Sequence, residues 1–206
     1  MVVVALSSGG LDSSVMMLLL LREGYSVMPI HVNYGQLSEK YEWSSCQKVA
    51  SQLDLPKPAR IDVPDFGKSI PSRTTSHSGR PDPYVPYRNL LLLTIGAAYA
   101  HSKGSHSLAI GFLANSSYSD QSSYFAKAAQ KAIERSHDIG MRVVTPLIKL
   151  NKVHVVQLAF RFGFPLDIAR SCYYGRKKPC GRCPACRERD LAISVLERRN
   201  NAARTR

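Results

Sequence analysis

The sequence contains no run of eighteen apolar residues, and Met1 leads directly into Val2, Val3 and Val4 with no basic stretch before them. The first absence argues against a membrane-spanning helix and the second against a secretory leader, so the expected setting is the cytoplasm. No internal repeat and no low-complexity tract is present, which excludes solenoids and repeat arrays. Acidic residues are scarce: 15 Asp and Glu stand against 28 Lys and Arg, for a formal charge of +13. Cysteines are few and unevenly placed, with Cys46 alone and Cys172, Cys180, Cys183 and Cys186 clustered. In a cytosolic chain such clustering favours a metal over disulfides. The 206 residues suffice for one domain with a sizeable core.

One stretch organises what is there. Val2 to Leu6 is β-branched and too short for a buried helix; Ser7-Ser8-Gly9-Gly10 follows, and Val15 to Leu21 is apolar again. The pattern predicts buried strand, tight loop and helix. Gly9 and Gly10 lack the Cβ atoms that would keep a phosphate from the backbone, so consecutive N–H groups and a helix N-terminus can face one anion. Ser8, Ser13 and Ser14 add hydroxyl donors. A carboxylate inside an anion site is repulsive unless it holds a cation, so Asp12 is expected to bind the magnesium that travels with ATP. An ordinary turn with Asp12 or Ser13 as a helix cap is the plain alternative. The whole word Ser-Gly-Gly-Leu-Asp-Ser between strand and helix favours the nucleotide. It resembles the pyrophosphate (PP) loop of the ATP-pyrophosphatase superfamily, whose members cut ATP between the α and β phosphates to adenylate an acid. It differs from Gly-x-x-x-x-Gly-Lys-Ser/Thr, the loop of γ-phosphate transfer.

Further along, Ser26 to Val32 reads as a second strand ending in the turn Asn33-Tyr34-Gly35-Gln36. Its carboxyl end should lie beside the first loop and line the adenine pocket, with Val32 and Tyr34 as the contacts. A helix from Ser38 to Leu53 places Cys46 on its buried stripe as a small core residue. After a strand at Ala59 to Val63, residues 64 to 87 show no sustained period and read as one long loop, a lid over the nucleotide with His77 on its surface. Arg88 and Asn89 open a strongly apolar helix at Leu90 to Ala100; a cation beside the positive end of a helix is misplaced without an anion to hold, which makes Arg88 a phosphate clamp and Asn89 otherwise an N-cap. Strands at Ser107 to Gly111 and at Val143-Val144 flank a helix at Tyr124 to Ser136. Lys152, in the first turn of a helix at Asn151 to Phe162, is a second misplaced cation. Asp12, Arg88 and Lys152 form the expected catalytic set. Strands alternating with helices predict an α/β fold, a parallel five-stranded sheet with helices on both faces, Rossmann-like.

Cys172, Cys180, Cys183 and Cys186 supply four thiols, three of them within seven residues, and Gly175, Pro179, Gly181 and Pro184 let the chain fold back on itself. Four thiolates around one tetrahedral ion predict a structural zinc. From Arg170 to Arg206 there are eleven Lys or Arg and three acidic residues, a net of +8. A basic tail of this kind suits RNA, an acidic partner protein or the nucleotide's own phosphates. Residues 1–165 are thus expected to form the ATP-binding domain and 166–206 a zinc-binding helical segment of the same domain.

Taken in order, Ser-Gly-Gly-Leu-Asp-Ser at 8–13, Asn-Tyr-Gly-Gln at 33–36, Val-Pro-Tyr-Arg-Asn at 85–89, Thr-Pro-Leu at 145–147 with Lys152, and Ser-Cys-Tyr at 171–173 followed by Pro-Cys-Gly-Arg-Cys-Pro-Ala-Cys at 179–186 resemble the 7-cyano-7-deazaguanine synthase family. The resemblance spans nearly the whole chain. It implies an adenine-nucleotide α-hydrolase-like fold, two ATP-dependent steps that turn 7-carboxy-7-deazaguanine into its amide and then its nitrile with ammonia, bound zinc, and a homodimer. It places Tyr34, Gln36, Arg88, Asn89, Tyr118 and Asp120 around the substrate. Three departures stand out. The family usually has Gly at Tyr87, an aromatic at Arg170, and an acidic pair with a later Cys where this chain has Asn115-Ser116-Ser117-Tyr118-Ser119-Asp120-Gln121. The acceptor wall is therefore expected to be bulkier and less acidic, which keeps open transfer to a protein amine, as in related antiviral enzymes. tRNA thiolation fits less well, because Cys46 reads as core and the other thiols as metal ligands. A non-enzymatic zinc module binding RNA through its tail leaves residues 8–13 unexplained.

Overall fold

The computed structural model describes residues 1–77, 82–114, 116–137 and 140–204, with side chains through residue 198. In chain order the elements are β1 (Val2–Leu6), α1 (Leu11–Arg22), β2 (Ser26–Asn33), α2 (Glu39–Gln52), β3 (Ala59–Asp62), α3 (Pro64–Ser69), α4 (Arg88–Ser102), β4 (Ser107–Ala109), α5 (Ser123–His137), β5 (Arg142–Val144), α6 (Lys152–Arg161) and α7 (Pro184–Arg204). All strand pairs are parallel and the sheet order is β3-β2-β1-β4-β5.

The sheet has two covered faces because its strands alternate between two cores. On β1, Val3 and Ala5 join the cluster built by α1, Val49 of α2, α6 and α7, whereas Val4 and Leu6 join the cluster built by α4 and α5. Ala192 and Leu196 of α7 pack into the first of these, so the C-terminal segment completes the same core. No helix among the described residues is long and apolar enough to cross a membrane.

The chain leaves β1 toward β2 and β3, then returns to place β4 on β1's other edge. This reversal opens a crevice at the carboxyl ends of β1 and β4, where open α/β sheets bind ligands. Residues 64–87 are not one irregular loop. Pro64 at the start and Asp65 in the first turn form the helix start signal of α3, which the sequence reading passed over. The chain then folds back through Ser72, Thr74 and Thr75, all buried and linked by their hydroxyls. Ser78 to Pro81 of the expected lid lie outside the described residues, and His77 is exposed. The apolar helix begins at Arg88 rather than Leu90, with Tyr87, not Asn89, as its N-cap.

Candidate active site

The crevice is a cavity of about 530 Å³ that joins the glycine loop, the end of β2, the start of α4, residues 110–114 and 116–118 and the start of α6. Ser8, Gly10, Asp12, Ser13, Val32, Tyr34, Gln36, Arg88, Asn89, Tyr118 and Lys152 all line it. Residues spread across 145 positions of sequence are thus brought to one cavity by the topology alone.

The glycine loop is held from behind. Gly9, at φ +66°, would carry a Cβ 2.6 Å from the Glu42 carbonyl and 2.7 Å from the Cys46 amide nitrogen. Its carbonyl accepts from Ser45 Oγ at 2.7 Å and from the Arg170 amide at 2.7 Å. Gly9 is therefore a seat for α2 and is not among the residues that line the cavity. Ser14 also lies off the cavity lining. It is fully buried and its hydroxyl donates to the Gly10 carbonyl at 2.8 Å, because one helical turn points it into the core. Ser8 and Ser13 stay at the cavity with hydroxyls 3.3 Å apart. Cys46 supports the same loop from below, 2.9 Å from Ser7 Oγ, and burial pushes its thiol up to about 12, which makes it an inert core residue.

Asp12 opens α1 and Lys152 opens α6, and they meet across the cavity floor with Lys152 Nζ 2.6 Å from each Asp12 carboxylate oxygen. A capping box on Asn151 and His154 fixes the turn that carries Lys152. On the opposite wall, the Arg88 guanidinium lies 5.8 Å from the centre of the Tyr34 ring. Burial alone would lower the Arg88 pKa, but Tyr34 and Asp120 beside it raise it, so the cation is secured in the pocket. Burial raises Tyr34, against the opposing pull of Arg88. Gln36 builds wall structure: its amide donates to the Val32 carbonyl at 3.3 Å and to Glu42 at 2.9 Å, and its carbonyl accepts from the Tyr34 amide at 2.9 Å.

Asn89 donates to the Asp120 backbone carbonyl at 3.1 Å and so ties α4 to the 118–121 turn. Tyr118 stacks on Tyr84, with ring centres 5.3 Å apart and planes within 12°. Asp120 sits behind them, buried, with neither carboxylate oxygen hydrogen-bonded among the described residues; burial raises its pKa, while Arg88 and Asn89 oppose the rise. It is not on the cavity surface itself, in contrast to the expected substrate contact. The sequence reading also missed Glu42, Thr74 and Glu188, which all line the cavity. Glu42 alone had a signal, three residues ahead of Ser45 on the inner face of α2.

The matches to known proteins agree with this geometry. The family model described as queuosine biosynthesis protein QueC matches residues 2–196. The chain belongs to that family. It is 31% identical to 7-cyano-7-deazaguanine synthase of Aliarcobacter butzleri over 90% of this chain and 88% of that one. It is 33% identical to the enzyme of the same name from Nitratiruptor sp., over 90% of each chain. Among solved structures, a predicted tRNA methyltransferase subunit from Methanocaldococcus jannaschii superposes with a TM-score of 0.58 at 21% identity, covering 78% of this chain and 74% of that one. A 4-thiouridine synthetase–RNA complex with bound ATP gives 0.52 at 18% identity, covering 96% of this chain and half of that one. At such identities the superpositions establish the fold alone. Membership of the QueC family makes this chain an ATP-dependent ligase.

The departures from the usual QueC pattern land differently from expectation. Tyr87 holds a left-handed conformation, φ +60°, in which a Cβ is strained. Its side chain is 74% exposed and off the cavity surface, so it adds no bulk to the acceptor wall. Arg170 does reach the cavity, yet its guanidinium lies 4.4 Å from the Tyr41 ring centre and donates to the carbonyls of Tyr174, Arg176 and Lys177. It braces the cysteine loop. Asn115 lies outside the described residues. Negative charge is still present at the wall, supplied by Glu42 and Glu188.

The four clustered cysteines form a metal-competent group, with sulfurs all within 4.8 Å of one another. Amides of Cys180 and Cys183 point at the sulfurs of Cys172 and Cys180 at 3.4 and 3.3 Å. Burial alone would raise the Cys180 thiol, but the N–H groups of Arg182 and Cys183 hold it down to about 7. Gly175 lets this loop dock on the turn before α2, since a Cβ there would sit 2.1 Å from the Leu37 carbonyl.

Proposed function

We propose that this QueC-family chain adenylates the carboxylate of 7-carboxy-7-deazaguanine and condenses it with ammonia, first to the amide and then to 7-cyano-7-deazaguanine. The observation that carries the reading is the single cavity in which the glycine loop, Asp12 and Lys152 face Arg88 across a space large enough for a nucleotide and a bicyclic base. The name of the curated relatives supplies the substrate.

The chemistry assigned to the residues follows from charge and position. Gly10, Ser8 and Ser13 receive the β and γ phosphates at the N-terminus of α1. Magnesium, when bound, neutralises the pyrophosphate leaving group. Asp12 would be its ligand, a role supported by the ammonium that this carboxylate holds in the structure. Arg88 and Lys152 hold the α-phosphate and substrate carboxylate in line, so that a carboxylate oxygen attacks the α-phosphorus and pyrophosphate departs. Ammonia then attacks the acyl carbon, AMP leaves and the nitrogen gives up a proton, which produces the amide. In the second round the amide oxygen takes the adenylyl group; loss of the remaining N–H protons and departure of AMP with that oxygen leave the nitrile. Val32 and Tyr34 bound the adenine side, and Tyr118, Gln36 and Asn89 the deazapurine side, with Asp120 behind them. The cysteines suit zinc: about 2.3 Å bonds to a tetrahedral ion place sulfurs about 3.8 Å apart, within the spread seen here. Four ligands close the sphere, so its role is structural. A cytoplasmic homodimer completes the proposal.

A second reading has its own support. Arg176, Lys177, Lys178 and Arg182 are exposed and make no ion pair among the described residues, and the loop that bears them adjoins the cavity mouth at Arg170, Ser171 and Tyr173. Such a collar suits an acidic partner protein delivering its own amine in place of ammonia. One assay separates the two: ATP, the acid and ammonium alone, with products read by mass spectrometry. Nitrile with two AMP per turnover is expected, and Asp12→Asn should abolish pyrophosphate release without unfolding the chain. Adenylate or amide accumulating without nitrile favours the protein amine. Unchanged pyrophosphate release by Asp12→Asn overturns the site.

A further inference from the structure

Lys152 and Asp12 are 140 positions apart and each opens a helix, yet both carboxylate oxygens of Asp12 take the same ammonium at 2.6 Å. The Lys152 side chain is only 11% exposed, so this is a shielded pair rather than a surface contact. Neither side chain has another hydrogen bond or ion pair among the described residues. A lysine in the first turn of α6 faces the positive end of the helix dipole, which is unfavourable unless an anion holds it there. In this structure that anion is Asp12.

An ammonium 2.6 Å from both oxygens occupies the place where a divalent ion would need to approach to about 2.1 Å, and like charges repel at that range. We infer that Lys152 is the resting occupant of the Asp12 metal position, so that the empty enzyme resists free divalent ions and admits the metal only with the nucleotide. This inference rests on the reading of Asp12 proposed above. The triphosphate supplies the exchange. Its oxygens would line up at the glycine loop, in the cavity that Lys152 also lines, and offer the ammonium a stronger partner than one carboxylate. As Lys152 turns to the phosphate, Asp12 is released to receive the ion. Nucleotide and metal binding are then positively coupled through one side chain, and each must strengthen the other by the same factor.

The pairing also explains why Asp12 tolerates a site otherwise built for anions before any ligand arrives. Without Lys152 its carboxylate would stand at the cavity with no cation, and a metal would be drawn in alone.

The test is binding of Mn²⁺, followed by the electron paramagnetic resonance of the free ion, to the full-length protein with its cysteine metal in place. In the absence of nucleotide, Lys152→Met and Lys152→Gln should each bind Mn²⁺ about tenfold or more tightly than the parent, within the usual span of coupled sites. Adding α,β-methylene ATP should tighten Mn²⁺ binding in the parent much more than in either variant. Circular dichroism verifies that the variants are folded, and two side chains of different polarity guard against one misfolding. Equal Mn²⁺ affinity of parent and both variants without nucleotide overturns the inference while leaving the active-site reading intact. If Asp12→Asn leaves Mn²⁺ affinity with the analogue unchanged, Asp12 is not the ligand and both fall together.

Discussion

Asp12 and Asp120 serve the same region in opposite company, one with both oxygens on an ammonium and the other buried without a hydrogen bond. Burial raises the Asp120 pKa, and Arg88 beside it offsets that rise only in part. The neutral form is therefore the one the fold favours. For a carboxyl whose folded pKa is raised, that contribution is complete below the unfolded value of about 4 and is lost as pH rises through the folded value. Asp120→Asn, which keeps the shape and stays neutral, should raise the melting temperature, with little gain at about pH 4 and a larger gain at about pH 7.5. Equal gain at both pH values would show that Asp120 is not penalised by burial.

Single elements show what local sequence does and does not reveal. The strand-loop-helix of β1 and α1 was legible because a β-branched run, two glycines and an apolar run each point the same way. The five parallel strands and their order of appearance were equally legible, since each hydrophobic run is bounded by turn residues. What was not legible is why Gly9 is glycine. Its missing Cβ makes room for α2, whose Glu42 carbonyl would lie 2.6 Å away, and nothing within the loop announces a helix 30 residues on. Tyr87 is similar: its left-handed backbone is dictated by how α4 meets the preceding chain, not by its own preference. Gly9→Ala should therefore act on stability before it acts on ATP. It forces a positive φ on alanine and overlaps backbone atoms of α2, and the combined cost is about 2–4 kcal/mol by urea unfolding. Gly24→Ala, at φ +82° with nothing within 4 Å, meets only the backbone term and should cost about 1–2 kcal/mol. Equal losses for the two would mean that the seat for α2 is not tight.

At the scale of the molecule the question is how a metal held by the four cysteines would act on the core. The cysteine loop closes on the first turn of α7: Cys183 precedes Pro184, and Cys186 lies inside the helix. Further along that helix, Ala192 and Leu196 pack into the cluster shared with α1 and α6. The same loop reaches the cavity through Arg170, Ser171 and Tyr173, and it docks at Leu37 on the turn that follows the adenine wall. If the cysteines hold an ion, its loss would leave four thiols with no common partner and loosen the first turn of α7, and with it one lid of the first core and one wall of the cavity. The sheet and the α4–α5 layer do not depend on it. Chelation of the metal should then lower the melting temperature without abolishing folding, by about 4–8 °C if the ion contributes about 2 kcal/mol in a chain of this size. Near-ultraviolet circular dichroism should change at the same time, through Tyr173 and Tyr174, which pack on the cysteines. Calorimetry with and without chelator, and again after zinc is restored, measures the effect. A melting temperature unmoved by complete metal removal would separate the cysteine loop from the core and confine its role to the cavity mouth.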